Sequence, residues 1–393
     1  MSAGPRRTGP PASRLVEEPA ATPAVPAWVL YVDLDAYYVA AELRERPELV
    51  GRPVIVGVAP SAESLRGVVL SASYEARAFG VHSAQPVRTA ARLCPDAVWI
   101  PPDFAKYERL ADEVRALLRE FAERLVPYSI DECVLVPRAA TAEEAVATAR
   151  SAQRRLKEEL GLGASIGVAT SRVVAKMASD RAKPGGILLV RPHEVSDFLA
   201  PLPVRAIPGV GPRTDAILAA HGVRTVGELA SRRPSDLLRE LGGFARELVA
   251  LARGVPAEGS EAEPSRRSRS ADRTFERDAA SIEEVEPVVR SLAEGLALSL
   301  ASEELRYGSV VVALRWADFD RSQRGRSLPA ASEGPAVLVE EALHLARALW
   351  ATERAGRARP VRTVSVRAER LSDKTQRQVS LDEFARRTVS RRA

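Results

Sequence analysis

The sequence has 393 residues, of which 46% are hydrophobic and 28% are charged, and its net charge at pH 7 is +5. This length predicts several domains, and the composition excludes a largely disordered chain. Two cysteines without metal-ligand spacing support neither a disulfide framework nor a zinc site, and no stretch reaches the ~18 apolar residues of a membrane span. We expect a cytoplasmic protein that does not enter membranes.

The N-terminal half predicts a tail followed by an α+β body. Residues 1–27 are rich in Pro and Ala, contain no apolar core of signal-peptide length and are expected to be disordered. The apolar run Trp28–Asp33 predicts a strand that ends on a carboxylate, followed by a helix over 36–46 with Asp35 as its N-cap. Further strands are predicted over 54–58, 68–71, 129–136, 164–169 and 187–190, and helices over 104–125, 141–160 and 171–182.

The C-terminal half predicts two further modules and a tail over 372–393. Residues 195–256 indicate short helices broken by glycine-containing turns, without a convincing strand. Residues 257–267 lack large apolar side chains, as a solvated linker does. Strands predicted over 268–276, 308–317, 321–328 and 360–370, with helices over 281–304 and 335–352, then give the β-α-β-β-α-β order of a split βαβ module.

The charges of this split module differ between its helices and its strands. The first helix is strongly acidic, whereas arginines concentrate on the strands and their flanks, at Arg267, Arg269, Arg273, Arg315, Arg321, Arg324, Arg326, Arg362 and Arg367. If the helices cover one face of the sheet, the other face is basic and suits nucleic-acid phosphates, with Arg315, Arg324, Arg326 and Arg367 as candidate DNA contacts. A solvated arginine-rich sheet without a ligand is the alternative.

Two acidic segments carry the candidate chemistry. Asp33 ends the first strand, and the adjacent Asp131 and Glu132 interrupt the apolar run Tyr128–Val136. Neighbouring strand residues point to opposite faces, so these two acids can act together only if the chain bends or a second element approaches. Three carboxylates suit two Mg²⁺ ions, which activate an attacking oxygen and stabilise a leaving one. For an isolated acidic pair, a solvated turn remains the alternative.

Five ordered segments bear on this choice: Tyr31-Val-Asp-Leu-Asp-Ala-Tyr-Tyr38, Ser73-Tyr-Glu-Ala-Arg-Ala-Phe-Gly-Val81, Tyr128-Ser-Ile-Asp-Glu132, Ala175-Lys-Met-Ala-Ser-Asp-Arg-Ala-Lys-Pro-Gly185 and Ile207-Pro-Gly-Val-Gly211. In order and spacing they resemble the Y-family translesion DNA polymerases, nearest the bacterial DNA polymerase IV branch, from about residue 28 to 371. The resemblance implies a right-hand polymerase, with a palm (28–37 and 103–194), fingers (38–102), a helical thumb (195–256) and a little finger (268–371).

The resemblance also implies an activity and its cofactors. A Y-family enzyme adds deoxynucleotides to a primer 3′-OH with low fidelity, by two-metal nucleotidyl transfer. We therefore expect two Mg²⁺ ions, with Mn²⁺ as a substitute, and primer-template DNA and deoxynucleoside triphosphates as partners of a monomer. A catalytically silent polymerase-like scaffold for DNA repair is the alternative. A plain DNA-binding module would leave residues 28–190 unexplained.

The metal and nucleotide roles carry over to specific residues. Asp33 and Asp131 resemble the metal ligands, Glu132 the third catalytic carboxylate and the Leu34 carbonyl a backbone ligand, whereas Asp35 is interpreted as structural. The positions that hold the incoming triphosphate correspond to Tyr74, Arg77 and Lys183, whose side chains can donate to phosphate oxygens.

Three further roles follow from the resemblance. Tyr38 matches the steric gate, whose ring excludes the 2′-hydroxyl of a ribonucleotide, although a core tyrosine is the alternative. Gly209 and Gly211 match a DNA-binding helix-hairpin-helix, for which a simple turn is the alternative. Gln378 and Leu381, with Phe384, resemble a sliding-clamp-binding peptide, imperfectly because Asp382 stands at an often apolar place.

Overall fold

The computed structural model describes residues 27–59, 66–255, 268–353 and 359–373. Most of the predicted N-terminal tail, the predicted linker and the clamp-binding candidates Gln378, Leu381 and Phe384 lie outside these residues. The chain divides into two compact units: the first is Met1–Ala59 with Gly67–Ala262, and the second is Pro60–Arg66 with Glu263–Ala393. Within the described residues no helix combines the length and apolarity needed to cross a membrane.

The first unit mixes strands and helices. Its strands are β1 (Val29–Leu34), β2 (Val54–Val56), β3 (Ser71–Ala72), β4 (Val98–Ile100), β5 (Arg124–Pro127), β6 (Glu132–Val136), β7 (Ala164–Ala169) and β8 (Ile187–Leu189). Its helices are α1 (Tyr37–Leu43), α2 (Tyr74–Ala78), α3 (Val87–Leu93), α4 (Phe104–Arg119), α5 (Ala142–Leu160), α6 (Arg172–Ala182), α7 (Val195–Leu199), α8 (Pro212–Ala220), α9 (Val226–Ala230), α10 (Leu238–Leu241) and α11 (Phe244–Ala252).

The main sheet of the first unit has the order β5-β6-β1-β7-β8. Its central strand β1 pairs antiparallel with both β6 and β7. Leu30 and Val32 of β1 belong to the core that contains residues of α4 and α5, whereas Tyr31 belongs to the core that contains α6. Because strand residues alternate between faces, Asp33 lies on the same side as Tyr31, facing α6.

Two smaller parts complete the first unit. A three-stranded sheet of order β3-β2-β4 shares a separate small core with residues of α2 and α3. Residues 195–255 form α7 to α11 with short 3₁₀ turns and one isolated bridge, Pro203 to Thr225, and no strand among these described residues. The prediction of a helical segment here is confirmed. Cys94 and Cys133 are both buried and free.

The second unit has the predicted β-α-β-β-α-β order. Its elements are β9 (Ser268–Ala279), α12 (Ile282–Ser302), β10 (Leu305–Trp316), β11 (Arg321–Ser332), α13 (Pro335–Glu353), β12 (Val361–Glu369) and the short β13 (Ser372–Asp373). The antiparallel sheet has the order β11-β10-β12-β9, and β13 pairs with the start of β10. Side chains of α12 and α13 share one core with alternate residues of the sheet, so both helices cover the same face.

Several predicted bounds in the first unit are wrong. The helix predicted over 104–125 ends at Arg119, and the chain then turns into the sheet, where residues 124–127 form β5. The strand predicted over 68–71 is shorter and later, since β3 is Ser71–Ala72. The strand predicted over 129–136 begins at Glu132, since residues 129–131 form the turn that joins β5 to β6.

Candidate active site

Asp33 and Glu132 lie side by side on neighbouring strands. They are direct partners in the antiparallel pairing of β1 and β6, so their side chains share the α6 face of the sheet. Asp33 is nearly buried, with 4% of its surface exposed. Beyond this pair the Leu34 N–H donates to the Asp131 carbonyl at 3.0 Å, which brings the second acidic residue to the end of β1.

The turn before β6 allows the side chains of the adjacent acids Asp131 and Glu132 to lie on the same side. The Tyr128 N–H donates to the Glu132 carbonyl at 2.9 Å, which closes the turn and takes Asp131 out of the strand. The Ser129 hydroxyl then lies 2.5 Å from Asp131 Oδ1 and 3.5 Å from Glu132 Oε2. This bend provides what a straight strand could not, because both carboxylates now reach one hydroxyl group. Ser129 was given no role from the sequence.

Two lysines compensate the buried charge. Lys183 Nζ and Lys176 Nζ donate to the same Asp33 Oδ2, at 2.6 and 3.1 Å, and Lys176 also contacts Glu132 and Asp180. Burial raises the pKa of the Asp33 carboxyl, and the Lys183 ammonium opposes that rise. Burial lowers the pKa of Lys176, but the Glu132 hydrogen bond and the nearby carboxylates outweigh it and raise the pKa overall. Both ammonium groups therefore stabilise an acidic site that could not be buried unpaired.

Lys176 is a second site residue that received no role from the sequence. It lies in the segment 175–185 and is one of the few lysines in an arginine-rich chain. It precedes Lys183 by seven residues, which is about two helical turns and places both on the same side of a helix. Gly167 of β7 lets α6 approach: a Cβ at this position would lie 1.8 Å from the Ala175 carbonyl oxygen. The glycine thus allows α6 to press against the sheet and brings Lys176 over the acids.

The donor atoms of the acidic edge suit a hard cation. Asp33, Asp131 and Glu132 contribute carboxylate oxygens from one end of β1 and β6, and Mg²⁺ prefers such ligands. The three do not form a ready-made metal cage, and no such cluster occurs among the residues that the structure describes. Instead the Lys176 and Lys183 ammonium groups both donate to Asp33 Oδ2, so a metal ion at this oxygen would have to replace these contacts. The carboxylate oxygens of Asp33, Asp131 and Glu132 are of the kind that Mg²⁺ prefers, and they lie at one end of neighbouring strands, so these residues fit a bound Mg²⁺ ion.

The prediction that Asp35 caps α1 is wrong. The N-cap position is Ala36, in the left-handed conformation with φ 45°, and it makes no side-chain capping bond. The Asp35 carboxylate turns away from the helix and accepts from the Ser165 hydroxyl at 2.8 Å, the Gly185 N–H at 2.9 Å and the Tyr74 hydroxyl at 3.3 Å. Asp35 is nevertheless structural, because its oxygens are used by protein donors.

The three candidate triphosphate residues lie around these acids. Tyr74 reaches Asp35 and Lys183 reaches Asp33, while the Arg77 guanidinium lies 4.7 Å from the centre of the Tyr74 ring and its Nε donates to the Ala72 carbonyl. Burial, followed by the Asp35 charge, raises the pKa of the Tyr74 phenol to about 12. The phenol is therefore protonated near neutral pH and can donate a hydrogen bond.

Comparisons with known proteins identify the family of the chain. Models of the impB/mucB/samB family match residues 32–180, its HHH motif 192–223 and its C-terminal domain 266–381. The DNA polymerase IV of Methanoculleus marisnigri is 39% identical over 357 residues, covering 91% of this chain and 98% of the relative. The chain belongs to the Y family of DNA polymerases.

Further Y-family proteins resemble the chain over similar lengths. The DNA polymerase IV of Halorhodospira halophila is 38% identical over 352 residues, covering 89% of this chain and 97% of the relative. A solved Y-family DNA polymerase chimera has a TM-score of 0.79 and 25% identity, covering 88% of this chain and 99% of its own. The resemblance drawn from the five segments, the multidomain α+β fold and the helix-hairpin-helix are confirmed.

The candidate Y-family gate residue, Tyr38, is half-buried in an aromatic cluster. Its ring centre lies 4.9 Å from that of Tyr107 and 5.5 Å from that of Tyr37. Burial and then the Asp131 charge raise the pKa of the Tyr38 phenol. Tyr37, by contrast, is buried and donates to the Tyr107 carbonyl at 2.6 Å, as a core tyrosine would.

The hairpin of the Y-family helix-hairpin-helix precedes α8. Gly209 has φ +92°, a conformation that favours glycine, and Gly211 is the N-cap of α8 without a side-chain cap. The first N–H groups of α8 have no acceptor within the helix. They are therefore available to an anion, and the DNA contact at Gly209 and Gly211 stays a prediction.

The basic face of the Y-family C-terminal module carries fewer arginines than predicted. Arg326 and Arg324 pair with Val310 and Val312, which are buried beneath the helices, so both lie on the helix side of the edge strand β11. Arg326 also contacts Glu341 of α13 at 3.2 Å. Their placement on the uncovered face is wrong, because alternation along β11 separates them from Arg321.

The uncovered face keeps a smaller basic group. Arg315 pairs with Arg321, and Arg367 pairs with Val311, all on the face opposite the helices. The exposed Phe319, in the turn between β10 and β11, lies 5.2 Å from the Arg315 guanidinium and 4.7 Å from that of Arg362. We call Arg315, Arg321, Arg362 and Arg367 the open-face arginines.

Proposed function

We propose that the chain extends a primer 3′-OH with deoxynucleotides by two-metal nucleotidyl transfer, and that Asp33, Asp131 and Glu132 hold the metal ions. As a Y-family member it is a DNA-directed DNA polymerase of translesion synthesis, and the silent scaffold is not favoured. The observation that carries the residue assignment is the direct pairing of Asp33 with Glu132, beside a turn that brings Asp131 to the same edge.

The proposed cofactor is a pair of Mg²⁺ ions, which Mn²⁺ can replace. When bound, they supply Lewis-acid activation of the attacking oxygen and charge stabilisation on the departing pyrophosphate. The chain's own part is to hold carboxylate oxygens in place, with the Leu34 carbonyl as a further proposed ligand. In the absence of metal ions, the Lys176 ammonium group pairs with Asp33 and Glu132 and compensates their negative charge.

The proposed nucleotide site uses Tyr74, Arg77 and Lys183 for the triphosphate. Their donors are of the kind that phosphate oxygens accept, and Arg77 is preorganised by its stacking on Tyr74. Tyr38 is the proposed gate, because its side chain is packed against Tyr107 and cannot retreat easily from a 2′-hydroxyl. These contacts favour a deoxynucleoside triphosphate as the substrate.

The proposed DNA contacts belong to each unit separately. The Gly209 to Gly211 hairpin supports a phosphate contact at the start of α8, and the open-face arginines support phosphate contacts in the second unit.

The imperfect motif at Gln378 and Leu381 supports sliding-clamp binding, which would act without altering the chemistry. We further propose that the enzyme is a cytoplasmic monomer.

A primer-extension assay tests this proposal. Wild-type chain should extend a primer opposite each template base with Mg²⁺ or Mn²⁺ and stop when a chelator is added. Asp33→Asn should lose extension while retaining its fold by thermal melting. Metal-independent extension, or extension by the variant at the wild-type rate, would overturn the assignment.

A further inference from the structure

The Asp35 carboxylate joins three parts of the first unit at one point. Its Oδ1 accepts from the Ser165 hydroxyl of β7 and the Tyr74 hydroxyl of α2, and its Oδ2 accepts from the Gly185 N–H in the loop after α6. The Gly185 N–H also donates to Ser165 Oγ at 3.0 Å. These contacts span 39 to 150 positions of sequence, so they are tertiary and not a local turn.

The surroundings of Asp35 are shaped to hold this carboxylate. Its own N–H donates to the Gly163 carbonyl at 2.9 Å, and a Cβ at Gly163 would lie 3.3 Å from Asp35 Oδ2. Ser165 is fully buried. The left-handed Ala36 then turns the chain into α1 and leaves the Asp35 side chain outside that helix. A loosely solvated acid would need none of these features.

Asp33 and Asp35 therefore have different tasks despite their spacing. The Asp33 oxygen meets two lysine ammonium groups, which a metal can displace, whereas both Asp35 oxygens accept from uncharged protein donors. Two of the elements that Asp35 joins carry candidate triphosphate residues. Tyr74 belongs to α2, and Lys183 lies in the loop after α6, two residues before Gly185. A carboxylate that fixes both elements also fixes the distance between those two side chains.

We propose that Asp35 is a positioning residue for the triphosphate of the incoming nucleotide, a role that rests on the proposed function of Tyr74 and Lys183. It touches neither metal nor substrate. Before the triphosphate binds, Asp35 holds the Tyr74 phenol on one side and the loop of Lys183 on the other. When the triphosphate binds, the single phenol O–H turns from Asp35 to a phosphate oxygen, while the Ser165 and Gly185 bonds keep the loop of Lys183 in place.

The test is the steady-state incorporation of dCTP opposite guanine by Asp35→Asn. This variant keeps the shape but turns an amide N–H₂ toward one of the donors and removes the charge from every bond. We expect KM for dCTP to rise by about tenfold and kcat to change by less than about threefold, since hydrogen bonds to a charged group are the stronger kind. Primer-template Kd should stay unchanged.

Asp103→Asn is the matched control. Asp103 also accepts a backbone N–H, that of Lys106 at 3.0 Å, but it caps α4 and makes no bond to the site residues. Because asparagine caps helices equally well, KM for dCTP should equal that of wild type. If Asp35→Asn fails to fold, Ser165→Ala removes the hydroxyl shared by Asp35 and Gly185, and KM should rise by about threefold.

Lys183→Ala distinguishes a failure of the positioning role of Asp35 from a failure of the proposed triphosphate site. If it raises KM and Asp35→Asn (or Ser165→Ala in its place) leaves KM at the wild-type value, the positioning role is refuted and the triphosphate site stands. If Lys183→Ala itself leaves KM unchanged, the triphosphate assignment fails and the positioning role fails with it. A fall in kcat without a rise in KM for Asp35→Asn would also refute the proposal.

Discussion

The acidic edge of the first unit and the open face of the second unit hold their charged side chains in opposite ways. At the acidic edge, a nearly buried carboxylate meets two ammonium groups at 2.6 and 3.1 Å, and backbone pairing fixes its neighbour Glu132. On the open face, arginines project from a sheet: Arg315 and Arg321 are exposed, whereas Arg362 and Arg367 are half-buried. A catalytic site requires side chains that are held in fixed positions, as at the acidic edge. Sequence-independent phosphate binding tolerates long side chains that can move, as on the open face.

The comparison predicts that one substitution at the acidic edge has the largest effect. Glu132→Ala should reduce nucleotide addition by about a thousandfold or more, because a lost metal ligand removes several kcal/mol of transition-state stabilisation. Primer-template Kd should change little, since other residues hold DNA. Single-turnover extension and fluorescence anisotropy measure the two quantities.

Asp112→Ala is the control for that loss. Asp112 is an exposed acid on α4 that pairs with Arg115 at 2.8 Å, so its removal should leave extension at the wild-type rate. Comparable turnover in Glu132→Ala and Asp112→Ala would remove Glu132 from the metal site.

The second largest effect is expected at Tyr38, the proposed gate. Tyr38→Ala should raise ribonucleotide incorporation by orders of magnitude, since relief of a clash of a few kcal/mol changes the rate tenfold per ~1.4 kcal/mol. Deoxynucleotide incorporation should fall much less. The ratio of kcat/KM for dCTP and CTP opposite guanine measures this.

Tyr37→Phe is the matched variant for the gate. It keeps a ring beside Tyr38 and loses one hydrogen bond, to the Tyr107 carbonyl, so the ratio should stay at the wild-type value. An unchanged ratio in Tyr38→Ala would return Tyr38 to the core-tyrosine interpretation.

On the open face, single substitutions should have modest effects that depend on salt. Arg315→Ala should weaken DNA binding severalfold and lower the slope of log K against log salt by about 1, because one phosphate contact releases about one counterion. Arg326→Ala should leave the slope nearly unchanged, since this guanidinium pairs with Glu341 on the helix side. Equal slopes for both variants would contradict the separation of the two faces.

The smallest effect on unassisted synthesis is expected from the C-terminal tail. Deleting residues 376–393 removes Gln378 and Leu381 and should abolish stimulation by an added sliding clamp, while distributive extension stays unchanged. Stimulation of the truncated enzyme to the wild-type level would exclude these residues as the docking peptide.

The predictable parts of this molecule are those with long regular patterns. The split βαβ module follows from two long helices and alternating strands, and its order is confirmed. The four-residue β5 escaped notice because it begins soon after α4 and contains a proline. The faces of Arg324 and Arg326 could have been read from the period-two alternation of the strand predicted over 321–328, which puts both on the face opposite to that of Arg321.

The site shows the same limit at the level of single side chains. A local rule made Asp35 a helix cap, but Ser165 and Gly185, which are 130 and 150 positions away, compete for its carboxylate and win. Lys176 likewise needs the close approach of α6 at Gly167, a packing fact that the sequence does not state. Motif spacing located the acids, whereas their partners required the fold.

The most direct test of the acidic edge is anomalous diffraction at the manganese absorption edge. The crystal should contain the chain, a primer-template ending in a dideoxynucleotide, the matching deoxynucleoside triphosphate and Mn²⁺. We predict two peaks about 3.5 to 4 Å apart, ligated by Asp33, Asp131 and Glu132, with the Lys176 and Lys183 ammonium groups displaced from Asp33. Peaks ligated by other residues, with both lysines still on Asp33, would contradict the assignment of the metal site.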